Sequence, residues 1–337
     1  MQGLARTMTR FVFFFLLLVM GAMRAEAQEP RIFRIGTGGV AGTYFPIGGL
    51  LADAISNPPG ARPCDQGGSC GVDGLIAIAQ SSNGSIANIE GIVSGVLDSG
   101  LAQSDIAYAA YRGELDNHPQ ATNLRLIASL YVESMHLVAT PESGIESVAD
   151  LRDKRISLDD EGSGTRVNAR LVLGSYGLHE CELEASYIKP AQALRNVRAG
   201  ELDGFFIVAG YPTPSVAEIA SEREIRLIAI DGPQREALVA EHPFFSFDRI
   251  PANSYAGIDE DVETIGVVAQ WLTSDGVDEE LVYEITRSLW NDSSRRLLDD
   301  GHAKGRAITF ATALDGAGIP LHPGAERYYR ETGLLHD

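Results

Sequence analysis

Apolar and polar positions change period repeatedly along the chain. RIFRIG (31–36) alternates as a strand does, and after the loop TGGVAGTY the run FPIGGLLADAIS repeats its apolar positions at helical spacing. The same order returns in IAIAQSS (76–82) and NGSIANIEGIVSGVLDSG, where Ile86, Ile89, Ile92, Val93, Val96 and Leu97 predict one apolar helix face. LAQSDIAYAAYRG adds a short strand and a helix, and LRLIASLYVESMHLVAT (124–140) is strand-rich. DLRDKRISLDDEGSGTRVNARLVLGSYG (150–177) is again strand, glycine loop and helix, ending at Gly177. LRNVRAGELDGFFIVAGYPTPSVAEIA (194–220), EIRLIAID (224–231) and ETIGVVAQWLTS (263–274) follow, then a helical region from Val277 onward. This alternation predicts an α/β protein with parallel sheets covered on both faces, in two units. No Pro-rich linker or repeat separates them, so crossing strands should join two lobes around a ligand cleft. The expected division is lobe one at 28–135 and 265–337, and lobe two at 136–264.

The first residues depart from this pattern. Arg6 and Arg10 precede an apolar run from Phe11 to Met23, then Arg24 and Ala25-Glu26-Ala27, which reads as a secretory signal peptide over 1–27. Thirteen apolar residues make roughly 20 Å of helix, short of the roughly 30 Å of a bilayer core. Cleavage removes three Arg and one Glu, taking the formal charge from −19 to −19 − 2 = −21. Such a charge, with lysine only at Lys154, Lys189 and Lys304, argues against nucleic-acid binding and anionic membranes. In an oxidising compartment, Cys64 and Cys70, on either side of DQGGS, are expected to form a disulfide, and Cys181 reads as structural.

Several motifs could carry chemistry. GTGGVA (36–41) has the form of a dinucleotide fingerprint, but Asp53, the acidic partner at the right distance, falls inside the helical LLADAIS, and no Gly-Lys-Ser/Thr follows. What remains is a glycine loop whose backbone N–H groups can approach an anion at a helix N-terminus. GSGTRVNAR (162–170) repeats this solution, with Ser163 and Thr165 as capping hydroxyls and Arg166 just inside the helix. NGSIAN and QSD (103–105) offer further polar groups at strand-to-helix junctions. GGSCG (67–71) fits a nucleophile elbow, yet Ser69 lies in the cysteine loop without the required strand and helix. Histidines 118, 136, 179, 242, 302, 322 and 336 form no metal motif, and Asp159, Asp160 and Glu161 read as a solvated turn. No catalytic constellation, cofactor or metal is expected.

The strings IGTGGVAGTYFPIGG, SSNGSIANIEGIVSG, LAQSDIAY, ADLRDKRISL with GSGTR, GFFIVAGYPTP and IPLHPGAERYYRE together resemble the TAXI family, the substrate-binding receptors of TRAP transporters. The resemblance runs from about Arg31 to Glu331 and implies a type II periplasmic-binding-protein fold. It also implies a monomeric periplasmic receptor that holds a small carboxylate, glutamate or a related C4 or C5 acid, and delivers it to TRAP membrane subunits. By position, the family's cleft residues fall on Thr37, Gly38, Gly39, Gly42 and Tyr44, on Ser85 and Asn88, and on Gln103, Ser104 and Asp105. They fall also on Ser163, Gly164, Thr165 and Arg166, and on Gly210 and Tyr211. Phe205 and Phe206 read as core, and His136 as a hinge residue or a contact behind the ligand. The insertion from Asn57 to Val72 departs from the shortest members. Two other functions fit the same pattern, a secreted α/β enzyme acting on a small carboxylate and a ligand sensor for a membrane partner.

Overall fold

The computed structural model describes residues 30–336, so the expected signal peptide lies outside the described residues. β1 (Arg31–Gly36) leads through the glycine loop to α1 (Tyr44–Ile55), whose Ile47, Leu51 and Ile55 recur one turn apart and are wholly buried. β2 (Ser56–Asn57) and β3 (Val72–Asp73) pair on either side of the cysteine loop, where Cys64 and Cys70 are disulfide-bonded; Cys181 is free and exposed. β4 (Leu75–Gln80), α2 (Ser85–Val93), β5 (Ser99–Gln103) and α3 (Ser104–Arg112) follow. The apolar face predicted for α2 stops early. The helix ends at Val93 before Gly95 at φ 75°, leaving Val96 exposed.

β6 (Leu124–Ala139) is followed by β7 (Arg155–Ser157), α4 (Gly164–Ser175), β8 (Glu184–Ser186), α5 (Pro190–Arg198), β9 (Gly204–Ala209) and α6 (Pro214–Glu222). β10 (Arg226–Leu227), α7 (Gly232–Glu241), β11 (Ser246–Ile250) and β12 (Val262–Ser274) come next, then α8 (Glu279–Leu289), α9 (Asp292–Gly301) and α10 (Pro323–Glu331). Among the described residues, no helix is long and apolar enough to cross a membrane.

Apart from the separate β2-β3 pair, the strands form one ten-stranded sheet in the order β4-β1-β5-β12-β6-β9-β7-β8, with β10 on β6 and β11 on β12. This corrects the expectation of separate parallel sheets. The outer trios β4-β1-β5 and β9-β7-β8 are parallel, but β6 and β12 run antiparallel to each other and to their outer neighbours. The physical reason is that a strand leaving one lobe and a strand returning to it must point in opposite directions. β6 pairs with β12 through Ser134 and with β9 from Ser134 to Ala139.

The apolar cores divide at the same place. Phe33, Ile35, Leu101, Tyr131, Ala269, Trp271 and Tyr329 pack with α1, α8 and α10, while α2 and α3 pack on the opposite sheet face. Met135, Leu137, Ile156, Phe206 and Val267 pack with α4 and α7, and Phe205, Ile207, Val216 and Ile219 with α5 and α6. Phe205 and Phe206 therefore face opposite sides of one strand, both in core.

Candidate functional site

The cleft lies where the loops before α1 and α4 face each other across the crossing strands. About 520 Å³ of unfilled space lies in it, part of that open to solvent. From lobe one it is lined by Gly38, Gly39, Gly42, Thr43, Tyr44, Ser82, Asn83, Gly84, Ser85 and Gln103. From lobe two come Asp159, Ser163, Gly164, Thr165, Lys189, Pro190 and Ile207 to Ala209, and Glu133 stands on the crossing strand β6.

Each loop is held by its own polar groups. Ser81 Oγ donates to the Gly38 carbonyl (2.9 Å) and Ser82 Oγ to that of Thr37 (2.9 Å). On the other side, Ser163 Oγ accepts from Thr165 N–H (3.1 Å) and donates to Asp159 Oδ2 (2.8 Å). The result is an N-capped α4 whose Gly164 abuts Gln103; a Cβ added at Gly164 would fall 2.0 Å from Gln103 Oε1. A side chain there would fill the meeting point of the lobes.

The floor of the cleft is acidic. Glu133 is 1% exposed and accepts from the Tyr44 hydroxyl (2.7 Å). Desolvation by burial pushes its carboxyl up to about 8, opposed by the Tyr44 hydrogen bond and by Lys304, with Asp105 adding to the rise. At neutral pH Glu133 is therefore held largely protonated. Asp159 is pushed up to about 6 by burial, against the hydrogen bond from Ser163. It is buried inside the cleft, which corrects the reading of Asp159 to Glu161 as a solvated turn; of the three, Glu161 is exposed. Buried Gln103 Oε1 and Tyr131 Oη lack partners. Lys189 is the one cationic side chain among the described residues that line the cleft.

The predicted site residues divide accordingly. Gly38, Gly39, Gly42, Tyr44, Ser85, Gln103, Ser163, Gly164 and Thr165 come together in the cleft. Thr37 and Asn88 do not reach it. Thr37 Oγ1 donates to the Gln80 carbonyl (2.7 Å), and Asn88 Nδ2 donates to the carbonyls of Thr37 (2.5 Å) and Leu101 (2.7 Å). Both side chains brace the loop from behind. Ser104 is buried at the start of α3, and Asp105 accepts from Asn168 Nδ2 of α4 (2.5 Å). Arg166 turns away, because its guanidinium lies 4.1 Å from the centre of the Tyr187 ring and bonds Glu161 (3.2 Å). Gly210 and Tyr211 stand behind the cleft, where Gly210 accepts from Thr43 Oγ1 (2.6 Å) and the Tyr211 ring sits 3.6 Å from Lys304 Nζ. His136 is a buried brace, bonded to the Ser134 carbonyl (2.8 Å) and Tyr255 Oη (2.9 Å).

Residues 35–333 match the model of the NMT1-like family. The chain belongs to that family. This match to the NMT1-like family supports a solute-binding protein without reaching the TAXI receptors that the motifs resemble. Among solved structures, the NMT1-like chain is similar to PhnD1 from Prochlorococcus marinus in complex with methylphosphonate, with 12% identity over 91% of this chain and 100% of that one, at a TM-score of 0.52. It is similar also to a protein described as a periplasmic transporter, with 11% identity over 90% and 92% of the two chains and a TM-score of 0.51. The alkanesulfonate-binding protein SsuA from Xanthomonas axonopodis pv. citri, bound to MOPS, matches with 18% identity over 90% and 84% at a TM-score of 0.46. The first two give the NMT1-like chain the two-lobe fold of periplasmic binding proteins.

Proposed function

We propose that this protein is a non-catalytic periplasmic receptor that closes on one small organic anion and hands it to a membrane transporter. The observation that carries this reading is the pairing of glycine loops, one per lobe, at the N-termini of α1 and α4 in a single cleft. Backbone N–H groups and the positive ends of two helix dipoles suit an anion. Burial shifts both cleft carboxyls toward their neutral forms, Glu133 to about 8 and Asp159 to about 6, and Lys189 is set against the charge that Asp159 keeps at neutral pH. The lobes taken as moving units are 28–135 with 265–337, and 136–264.

The ligand proposed is a C4 or C5 carboxylate such as glutamate, and the partners proposed are TRAP membrane subunits, following the motifs that resemble TAXI receptors. The same donors fit a small phosphonate, the class bound by PhnD1. Delivery would then pass to an ABC-type transporter.

A thermal-shift and calorimetric screen over L-glutamate, 2-oxoglutarate, succinate and methylphosphonate tests the reading. A binder at 100 times its Kd should stabilise the fold by about 2.7 kcal/mol, bind one per chain and be recovered unchanged. Stabilisation by sugars or cations alone, or turnover of the bound acid, overturns it.

A further inference from the structure

Of the helices that begin around the cleft, α4 has a side-chain cap whereas α1, α2, α3, α5 and α6 have none, and two of these, α2 and α6, are completed from across the cleft. The N-cap of α2 is Gly84, at φ 112° with no side chain to offer, and the N-cap of α6, Thr213, makes no capping bond to its helix. The first-turn N–H groups of a helix have no intrahelical acceptor and need one from outside. Here the opposite lobe supplies it. The N–H groups of Ile86 and Ala87, in lobe one, donate to the Gly162 carbonyl of lobe two at 3.1 and 3.3 Å. On the other flank the direction reverses, and Ser215 N–H of lobe two donates to the Ala41 carbonyl of lobe one at 3.0 Å. Thr213 Oγ1 adds a second bond to Ala41 (3.4 Å), and Thr43 Oγ1 reaches the Gly210 carbonyl (2.6 Å) beside it.

The two acceptors are not scattered. Ala41 lies within the glycine loop before α1, and Gly162 immediately precedes the Ser163 to Thr165 turn before α4. Each cleft-facing loop thus carries one carbonyl that caps a helix of the other lobe. We propose that these two loops act as a reciprocal latch, so that whatever orders the loops in the cleft also presents both capping carbonyls and locks the lobes together at both flanks. The inference does not depend on which solute binds.

Glycine at 162 is part of the device. A Cβ there would lie 2.8 Å from Asn83 Cβ and 3.2 Å from Ala87 Cβ, both across the seam, so the tightest contacts of one added methyl group fall on the opposite lobe and obstruct closure. At the other seam, Ser215→Pro deletes the donor N–H and sets a methylene against the Ala41 carbonyl; no intrahelical bond is lost at the second residue of α6, and the strain a proline puts on Pro214 before it is read by the folding control below.

Hydrogen exchange read by mass spectrometry on the wild-type chain, G162A and S215P tests the latch, with and without L-glutamate and methylphosphonate. The expected result has two parts. In the wild-type chain the amides of Ile86, Ala87 and Ser215 are protected although they head helices. G162A speeds exchange at Ser215, and S215P speeds it at Ile86 and Ala87, each by about tenfold, which corresponds to one or two lost hydrogen bonds. Amides of β6 and β9 serve as the folding control and stay protected. Free exchange of the three wild-type amides under every condition, or variants that alter only their own seam, overturns the latch. A screen in which no anion binds, with the seams still coupled, removes the proposed function and leaves the latch standing.

Discussion

At the scale of single residues, Glu133 is where the chemistry departs most from an ordinary side chain. Its burial raises the carboxyl to about 8 from an ordinary value near 4.5, so the folded chain holds a proton that the unfolded chain releases. The stability this contributes is complete below the unfolded value and lost as pH rises through about 8. Other buried groups act elsewhere. His136, lowered to about 4 by burial, costs stability only as pH falls below its ordinary range, and Lys304, lowered to about 8, acts only above that value. Asp105 and Asp159, raised to about 6 by burial, act mainly below pH 7, so between pH 7 and 8 Glu133 dominates: melting temperature should fall with rising pH, and E133Q should flatten the curve. An equal slope in both proteins would count against the buried proton. Asn88→Ala should cost about 1–3 kcal/mol of folding stability, measured by urea unfolding, because the carbonyls of Thr37 and Leu101 lose their shared donor. Thr165→Ala should cost a similar amount by stranding the buried Val208 N–H, which bonds Thr165 Oγ1 at 3.0 Å. Glu133 was not legible in the sequence. It sits in YVESMHLVA, on a strand buried on both faces, and a period of two identifies a strand without saying that both faces are covered. A charged residue inside so apolar a run was the available signal.

At the scale of elements, legibility followed the strength of the local pattern. β1, α1, β6 and β12 were readable because alternation or helical spacing persists over enough residues. β8 and β11 were not, being short and half exposed, with partners that only the tertiary fold selects. The glycine loops were recognised as helix starts. Which side chains faced the cleft and which braced it from behind was invisible, since Asn88, inside the start of α2, and Gln103, at the end of β5, are polar residues near strand-to-helix junctions that differ in the direction they point. The cap of α4 gives a test at this scale: Ser163→Ala removes the acceptor for Thr165 N–H and should cost about 1 kcal/mol of stability by denaturant unfolding. The cysteine loop gives another. Cys64 and Cys70 are six positions apart, so their bridge should be worth about 2 kcal/mol, and the C64S/C70S pair should still fold and retain the cleft.

For the whole molecule, the formal charge of −19 sets a long-range field that disfavours anions, while the cleft's donors act at contact. The Debye length is about 10 Å at 0.1 M salt and about 3 Å at 1 M, so salt mutes the distant carboxylates and leaves the loop N–H groups unaffected. Anion affinity should consequently change little, or rise slightly, between those concentrations in calorimetric titration; a steep loss would mean that surface cations carry the binding. The expectation of crossing strands between lobes was legible from the missing linker, but that β6 and β12 pair with each other was not. That pairing has a mechanical consequence. A two-stranded ribbon flexes readily out of its own plane and resists bending within it, so it works as a leaf spring and not as a swivel. The register breaks at Ala269/Gln270 and Trp271/Leu272 mark the irregular stretch of the ladder between β12 and β6. Motion of the lobes should therefore follow one clamshell coordinate, which a single distance across the mouth, between one label on each jaw, would track.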